Sequence, residues 1–175
     1  TTYDMYEHNI SSSNAAASGA TNLFDSSYFV MNSVYAVYKV IENDGATAST
    51  IEPTSTSNSI FETSDGYRWK YMYSLTSAET LNFMSSDFIH VSTDSTVSAA
   101  AVDGALDTIL VVAGGSSFNT SSGSTISAIP IRGDGANGVA SVTISSGAIT
   151  AASVTTAGTG YTFAYIRTAD IIAAT

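Results

Sequence analysis

Cysteine is absent from the 175 residues, which removes disulfides and thiolate metal ligands and leaves the redox compartment open. Basic side chains are almost as scarce. Five Lys and Arg stand against fifteen Asp and Glu, for a formal net charge of −10. Nucleic-acid affinity comes mainly from Lys and Arg displacing counterions, so a phosphate-binding surface is not expected, and an anionic membrane surface is disfavoured for the same reason. No apolar run approaches the roughly 20 residues of a membrane span. Charged residues of all kinds total 11%, far below the roughly 25% usual for a soluble domain. Ser, Thr and Ala fill the places that ions would hold, and such a surface is cheap to dehydrate against a neighbour.

The catalytic inventory is equally thin. His8 and His90 are the only imidazoles, and neither lies in an H-E-x-x-H pair. Asp4 and His8 would share a face at i, i+4 only if their segment were helical, and hydrogen bonding within the fold is the simpler use of both. No G-x-S-x-G elbow presents a serine. Glu42 and Asp44 sit beside Gly45 in a turn and read as solvated. An enzyme is therefore not expected, and no cofactor or metal is called for.

What the chain does contain is 44% hydrophobic residues, enough for a core and too many for a disordered tail. It begins Thr1-Thr2-Tyr3 with no initiator Met or signal pattern, and it ends in the apolar run Asp170 to Thr175. Both ends read as cuts within a longer polypeptide. The tract Ser11 to Thr21 is small-residue loop. Phe29 to Ile41 is dense in β-branched and aromatic residues and predicts one or two strands buried on both faces. Glu42 to Gly45 predicts a turn, and Ala46 to Ser59 a polar loop punctuated by Pro53. In Phe61 to Leu75, the rings Tyr67, Trp69, Tyr71 and Tyr73 alternate with Arg68, Lys70 and Met72, which places them on one face of a strand led in by an Asp65-Gly66 turn. Exposed, that face would suit sugars or single-stranded nucleic acid. Packed, it is a core face with Arg68 and Lys70 on its polar side, and this is the preferred reading. Thr76 to Met84 predicts a short helix with Leu81 and Met84 on a shared face, and Asp87 to Val91 a returning strand.

Composition shifts at Thr93 to Val102, which predicts a β-rich, β-sandwich-like domain over residues 1–95 and an all-β module over 96–175. The second part carries a repeat: Val111 to Phe118 aligns with Val154 to Tyr161, each a strand, a Gly-rich turn and an aromatic. Ile126 to Ile131, Val139 to Ile144 and Ile149 to Val154 predict short strands, joined by turns at Gly133 to Gly138 and Ser146-Gly147, with no helix. Gly133-Asp134-Gly135-Ala136-Asn137-Gly138 has the G-x-G-x-x-G spacing, but a dinucleotide fingerprint needs a following helix and Val139 to Ile144 alternates as a strand. Asp134 and Asn137 supply too few carboxylates for a calcium loop. Arg132-Gly133-Asp134 and the sequons at Asn9 and Asn119 are short enough to arise by chance.

Asp65-Gly66-Tyr67-Arg68-Trp69-Lys70-Tyr71-Met72-Tyr73 resembles the Asp-Gly-Tyr-x-Trp-x-Tyr-(Leu/Met)-aromatic block of the dimeric baseplate wedge subunit of T-even-type contractile-tailed phages. Asp4-Met5-Tyr6-Glu7-His8, Val37-Tyr38-Lys39-Val40, Ile51-Glu52-Pro53 and Asp87-Phe88-Ile89-His90-Val91 resemble further segments of that family in the same order. The likeness covers Asp4 to about Val91. From Ala105 the chain departs from it and is similar to Gly-Tyr-containing β inserts of cyanophage-like tail proteins. The resemblance implies a non-enzymatic virion protein, a homodimer in each of six wedges, joining wedge and fibre-attachment proteins in a tail baseplate assembled in the bacterial cytoplasm. It carries over no catalytic residue. Asp65, Gly66, Tyr67, Trp69, Tyr71 and Tyr73 are its signature positions. A carbohydrate-binding tail module is the alternative, through the aromatic strand or the repeat.

Overall fold

The computed structural model describes residues 1–7, 9–111, 113–118 and 123–174. His8, Val112 of the repeat and the Asn119 sequon lie outside the described residues. The fold is β-rich as expected, with 31% strand against 11% helix. The chain divides into two units, Thr1–Ala101 and Val102–Thr175, each with a core of its own residues.

The first unit is built on a four-stranded antiparallel sheet in the order β1-β2-β4-β3. Its strands are β1 (Phe29–Met31), β2 (Ala36–Asn43), β3 (Phe61–Glu62) and β4 (Tyr67–Ser74). The apolar stretch Phe29 to Ile41 thus becomes two strands, because Asn32 folds it back. The Asn32 side-chain oxygen accepts from Val34 N at 3.1 Å and Ala36 N at 2.8 Å, while its amide donates to the Pro53 carbonyl at 3.0 Å. An Asx turn of this kind lets a buried polar residue satisfy the backbone it bends. The four-stranded sheet is the only one among the first unit's described residues. The N-terminal segment supplies Tyr3 and Met5 against the aromatic face, and Val97 joins them.

Two short helices follow, α1 (Ser77–Phe83) and α2 (Ser95–Ala100). The predicted helix starts where expected because Thr76 and Glu79 form a capping box. Its Leu81 face is not buried, however: Leu81 is 86% exposed. Asp87 to Val91 is not a strand. It joins no strand although β3 spans only Arg68 and Trp69 of β4. A bond from Ser85 N to the Phe88 carbonyl and one from the Tyr73 hydroxyl to the His90 carbonyl hold it instead, and Phe88 and Val91 remain exposed. The region from Thr93 is no featureless linker either. Asp94 caps α2 by accepting from Thr96 N and Val97 N at 2.9 and 3.0 Å, and Val97 packs on the first core. These contacts carry the division to Ala101/Val102, beyond the expected residue 95.

The second unit contains β5 (Ser124–Pro130), β6 (Arg132–Gly133), β7 (Val139–Ser145), β8 (Ala148–Thr156) and β9 (Ala164–Tyr165), with α3 (Thr168–Ala173) at its end. Strands β5-β7-β8 form one antiparallel sheet and β6-β9 a ribbon. The strands bury alternate residues, Ala140, Val142 and Ile144 on β7, because the period of side-chain direction is two. Ser146 and Gly147, both at positive φ (52° and 76°), make the two-residue turn between β7 and β8.

Two expectations fail in this unit. It does contain a helix, α3, which forms because Ile171 is buried in the sheet core and Asp170 is clasped by two arginines. The repeat is also asymmetric. Val154 to Thr156 ends β8, whereas the described residues of Val111 to Phe118 form no strand. They are part of a segment lying along β8, tied by Leu106 N to the Ala157 carbonyl and by Ile149 N to the Gly114 carbonyl, both at 2.9 Å.

Candidate functional site

The signature residues Tyr67, Trp69 and Tyr71 fall on one face of β4 and are buried, Tyr67 and Trp69 completely. Tyr67 and Trp69 stack at 5.3 Å, and Tyr3 meets both edge-on. From β2, Tyr38 meets Trp69, Tyr71 and Phe61 edge-on. These are the offset and T-shaped geometries that ring quadrupoles favour. Trp69 Nε1 donates to Thr63 Oγ1 at 3.0 Å, and the Tyr67 hydroxyl donates to the Thr47 carbonyl at 2.6 Å. Tyr73 departs from the row. It is half-buried, and its hydroxyl reaches the His90 carbonyl at 3.0 Å. The opposite face carries Arg68 paired with Glu42 at 3.9 Å across the strands. The like-charged neighbours Lys39 and Lys70 are drawn apart, one over the Tyr6 ring and the other to the Asn58 carbonyl. The aromatic strand is a core strand, with the rings of Tyr67, Trp69 and Tyr71 enclosed.

Asp65 and Gly66 set the hairpin before it. Thr63 N bonds the Tyr67 carbonyl and Gly66 N the Thr63 carbonyl, each at 2.9 Å, and Gly66 takes φ +82° at the end of the three-residue loop. Burial pushes the Asp65 carboxyl up, but bonds from Thr63 Oγ1, Thr50 N, Ile51 N and Ser49 Oγ outweigh it and hold the group well below the usual carboxylate range. Asp65 therefore pins the polar loop to the hairpin. Asp4 works similarly at the N-terminal segment. Fully buried, it accepts from Ser18 N, Ser18 Oγ and Ser27 N at 2.6 to 2.7 Å. Residues 4–7 are not helical, and His8, the other member of the i, i+4 pair, lies outside the described residues.

In the second unit the Gly133 to Gly138 loop leads into strand β7, as expected for a turn, and is covered by Tyr161. The buried Tyr161 hydroxyl accepts from Gly138 N and donates to the Ile131 carbonyl, at 3.0 and 3.1 Å. Asp134 accepts from Thr162 N, Thr162 Oγ1 and Phe163 N, which lower its carboxyl to about 2. Bonds from Arg132 and Arg167 likewise hold Asp170 at about 2. Both charged ends of Arg132-Gly133-Asp134 are thus engaged within the unit.

The sequence reading missed a different feature, an exposed apolar ridge on the first unit. Phe24 and Phe88 meet edge-on at 5.9 Å while remaining 77% and 58% exposed. Phe83, 62% exposed on α1, lies against the His90 ring at 5.0 Å. Leu81 and Val91 extend the same segments into solvent, and α1 buries none of its residues. Ser85 N bonds the Phe88 carbonyl at 3.2 Å and Tyr73 anchors His90, so the ridge is tied to the sheet. A helix of 7 residues has little stability of its own, and this one spends no apolar side chain on the core. The signal available in sequence was the surplus itself: Leu81, Phe83, Phe88 and Val91 follow a sheet whose faces are already supplied.

Chemically, the arrangement of the described residues can bind and brace. Among the described residues no three His, Asp or Glu side chains converge as a metal site, and no helix is long and apolar enough to cross a membrane. No family model, characterised protein or solved structure matches the chain.

Proposed function

We propose that the chain is a non-enzymatic structural component of a contractile phage tail baseplate wedge, acting through protein–protein contacts that join wedge and fibre-attachment proteins. The exposed ridge around Phe24, Phe83 and Phe88, with Leu81 and Val91 exposed on the same segments, carries this reading, because large apolar groups left in water on a folded unit mark an interaction surface. The same unit holds, in order, every segment that resembles the phage wedge subunit. A low-charge Ser/Thr/Ala exterior suits the same role, since little hydration is lost on packing. A homodimer in each wedge, virion location and the absence of nucleic-acid and membrane partners belong to the proposal as well.

Cryo-electron microscopy of intact tails tests it: density for this chain in a six-fold ring around the hub is the expected result. A chain that copurifies with no tail component from virions defeats the proposal. Carbohydrate binding is not proposed, because the rings it would use are enclosed. Trp69 is 0% and Tyr161 7% exposed, and neither offers a face to a saccharide.

A further inference from the structure

The segments that form the ridge have a one-sided charge. Phe24 is followed by Asp25, α1 contains Glu79, and Phe88 follows Asp87. No Lys or Arg occurs anywhere in residues 1–38 or 71–131. Among the described residues none of the three carboxylates has a salt bridge, their hydrogen bonds coming from Asn22, Thr76 and Ser86. The first unit's basic residues, Lys39, Arg68 and Lys70, are all on the sheet. Glu79 also feels the charge of His90, whose ring lies on Phe83, while Asp25 and Asp87 flank Phe24 and Phe88 with no ion pair. An apolar ridge with such an acidic rim is complementary to apolar groups rimmed by cations.

We infer that the ridge is a docking site for a protein partner of a different sequence, whose contacting segment sets apolar side chains between Lys or Arg residues. The inference rests on the assembly role proposed above and names the chemistry of the partner. A second copy of this chain fits worse. A two-fold contact through the ridge would bring Asp25, Glu79 and Asp87 of both copies together, and like charges facing one another cost affinity. Apolar anchors supply most of the contact energy at such a site, and the carboxylate rim sets orientation and rejects acidic competitors.

Two synthetic amphipathic helical peptides with one leucine pattern serve as probes, one with Lys and the other with Glu at every polar position. Fluorescence anisotropy with the intact chain is expected to show binding of the Lys peptide alone. Triple replacement Leu81→Ser, Phe83→Ser and Phe88→Ser should weaken that binding by about tenfold or more. Asp25→Asn with Glu79→Gln and Asp87→Asn should weaken it several-fold and flatten its salt dependence. Glu62→Gln with Asp44→Asn, at the Gly66 end of the sheet and not at the Tyr73 end that meets His90, should leave it unchanged, which separates a local site from attraction to net charge. Every replaced ridge side chain is at least partly in solvent, so each variant should retain buried Trp69 emission. Equal binding of both peptides, or ridge variants that bind as the parent does, overturns the inference. So does ridge-dependent dimerisation in sedimentation, which would give the ridge to a second copy. Any of these with the chain still present in tails overturns the basic partner alone, whereas absence from tails removes the assembly role instead.

Discussion

Two tyrosines show how the same hydroxyl has opposite worth at different positions. The Tyr161 hydroxyl serves two buried backbone groups. Tyr161→Phe leaves both unsatisfied and should destabilise the second unit by about 1–3 kcal/mol. The Tyr38 hydroxyl is buried with no partner, and burial, then the neighbouring Tyr71 and Glu52, push its pKa up. Tyr38→Phe removes an unpaired polar atom and should be neutral or stabilising by up to about 1 kcal/mol. Urea melts of the two variants check the pair, and a Tyr38→Phe loss as large as that of Tyr161→Phe would refute the contrast. The carboxylates give a pH dependence. Asp134 and Asp170 are lowered to about 2 in the fold, against about 3.9 unfolded. A depressed pKa contributes stability that is complete above the unfolded value and lost as pH falls through the folded one. Thermal midpoints of the second unit should be level from neutral pH down to about 4 and fall as pH approaches about 2. Asp134→Asn combined with Asp170→Asn should shallow that fall.

At the scale of elements, the hairpin before β4 depends on Gly66. A Cβ there would sit 2.6 Å from Asp44 Cγ, at φ +82°. Gly66→Ala should cost about 1–3 kcal/mol through strain and crowding, read as an earlier loss of Trp69 emission in denaturant. Helix α1 separates capping from contact. Thr76→Ala should weaken the helix by about 0.5–2 kcal/mol, seen as faster amide exchange in residues 77–83. Leu81→Ser should leave melting unchanged, because no core contact is lost. The strands β2, β4, β7 and β8 were legible because each alternates or is uniformly apolar over seven to nine residues. Asp87 to Val91 is as rich in aromatic and branched residues, but it sets Phe88 and Ile89 side by side and is held by the bond from Ser85 N and by the Tyr73 hydroxyl rather than by a ladder. Helix α3 was illegible in the opposite sense. Its six residues show little periodicity, and it exists through the Asp170 clasp and burial of Ile171.

Across the whole chain, the single tryptophan makes the two units separately observable. Trp69 is enclosed in the first core, and Tyr161 in the second. Trp69→Ala should remove about 3–5 kcal/mol, enough to unfold the first unit while the β5-β7-β8 sheet keeps its protected amides in hydrogen exchange. Loss of protection in both units together would show one cooperative body instead. The alternation of Tyr67, Trp69 and Tyr71, the turn residues Asp65-Gly66 and Ser146-Gly147, and the scarcity of cations were determined by sequence alone, because period two, positive φ and net charge are local or additive properties. Only the tertiary structure decided that the aromatic face is closed, that Asp4, Asp65 and Asp134 are spent on backbone donors, and that Leu81, Phe83 and Phe88 stay in water. Each of those depends on which distant segment arrives to cover a group, and chain pattern does not specify that.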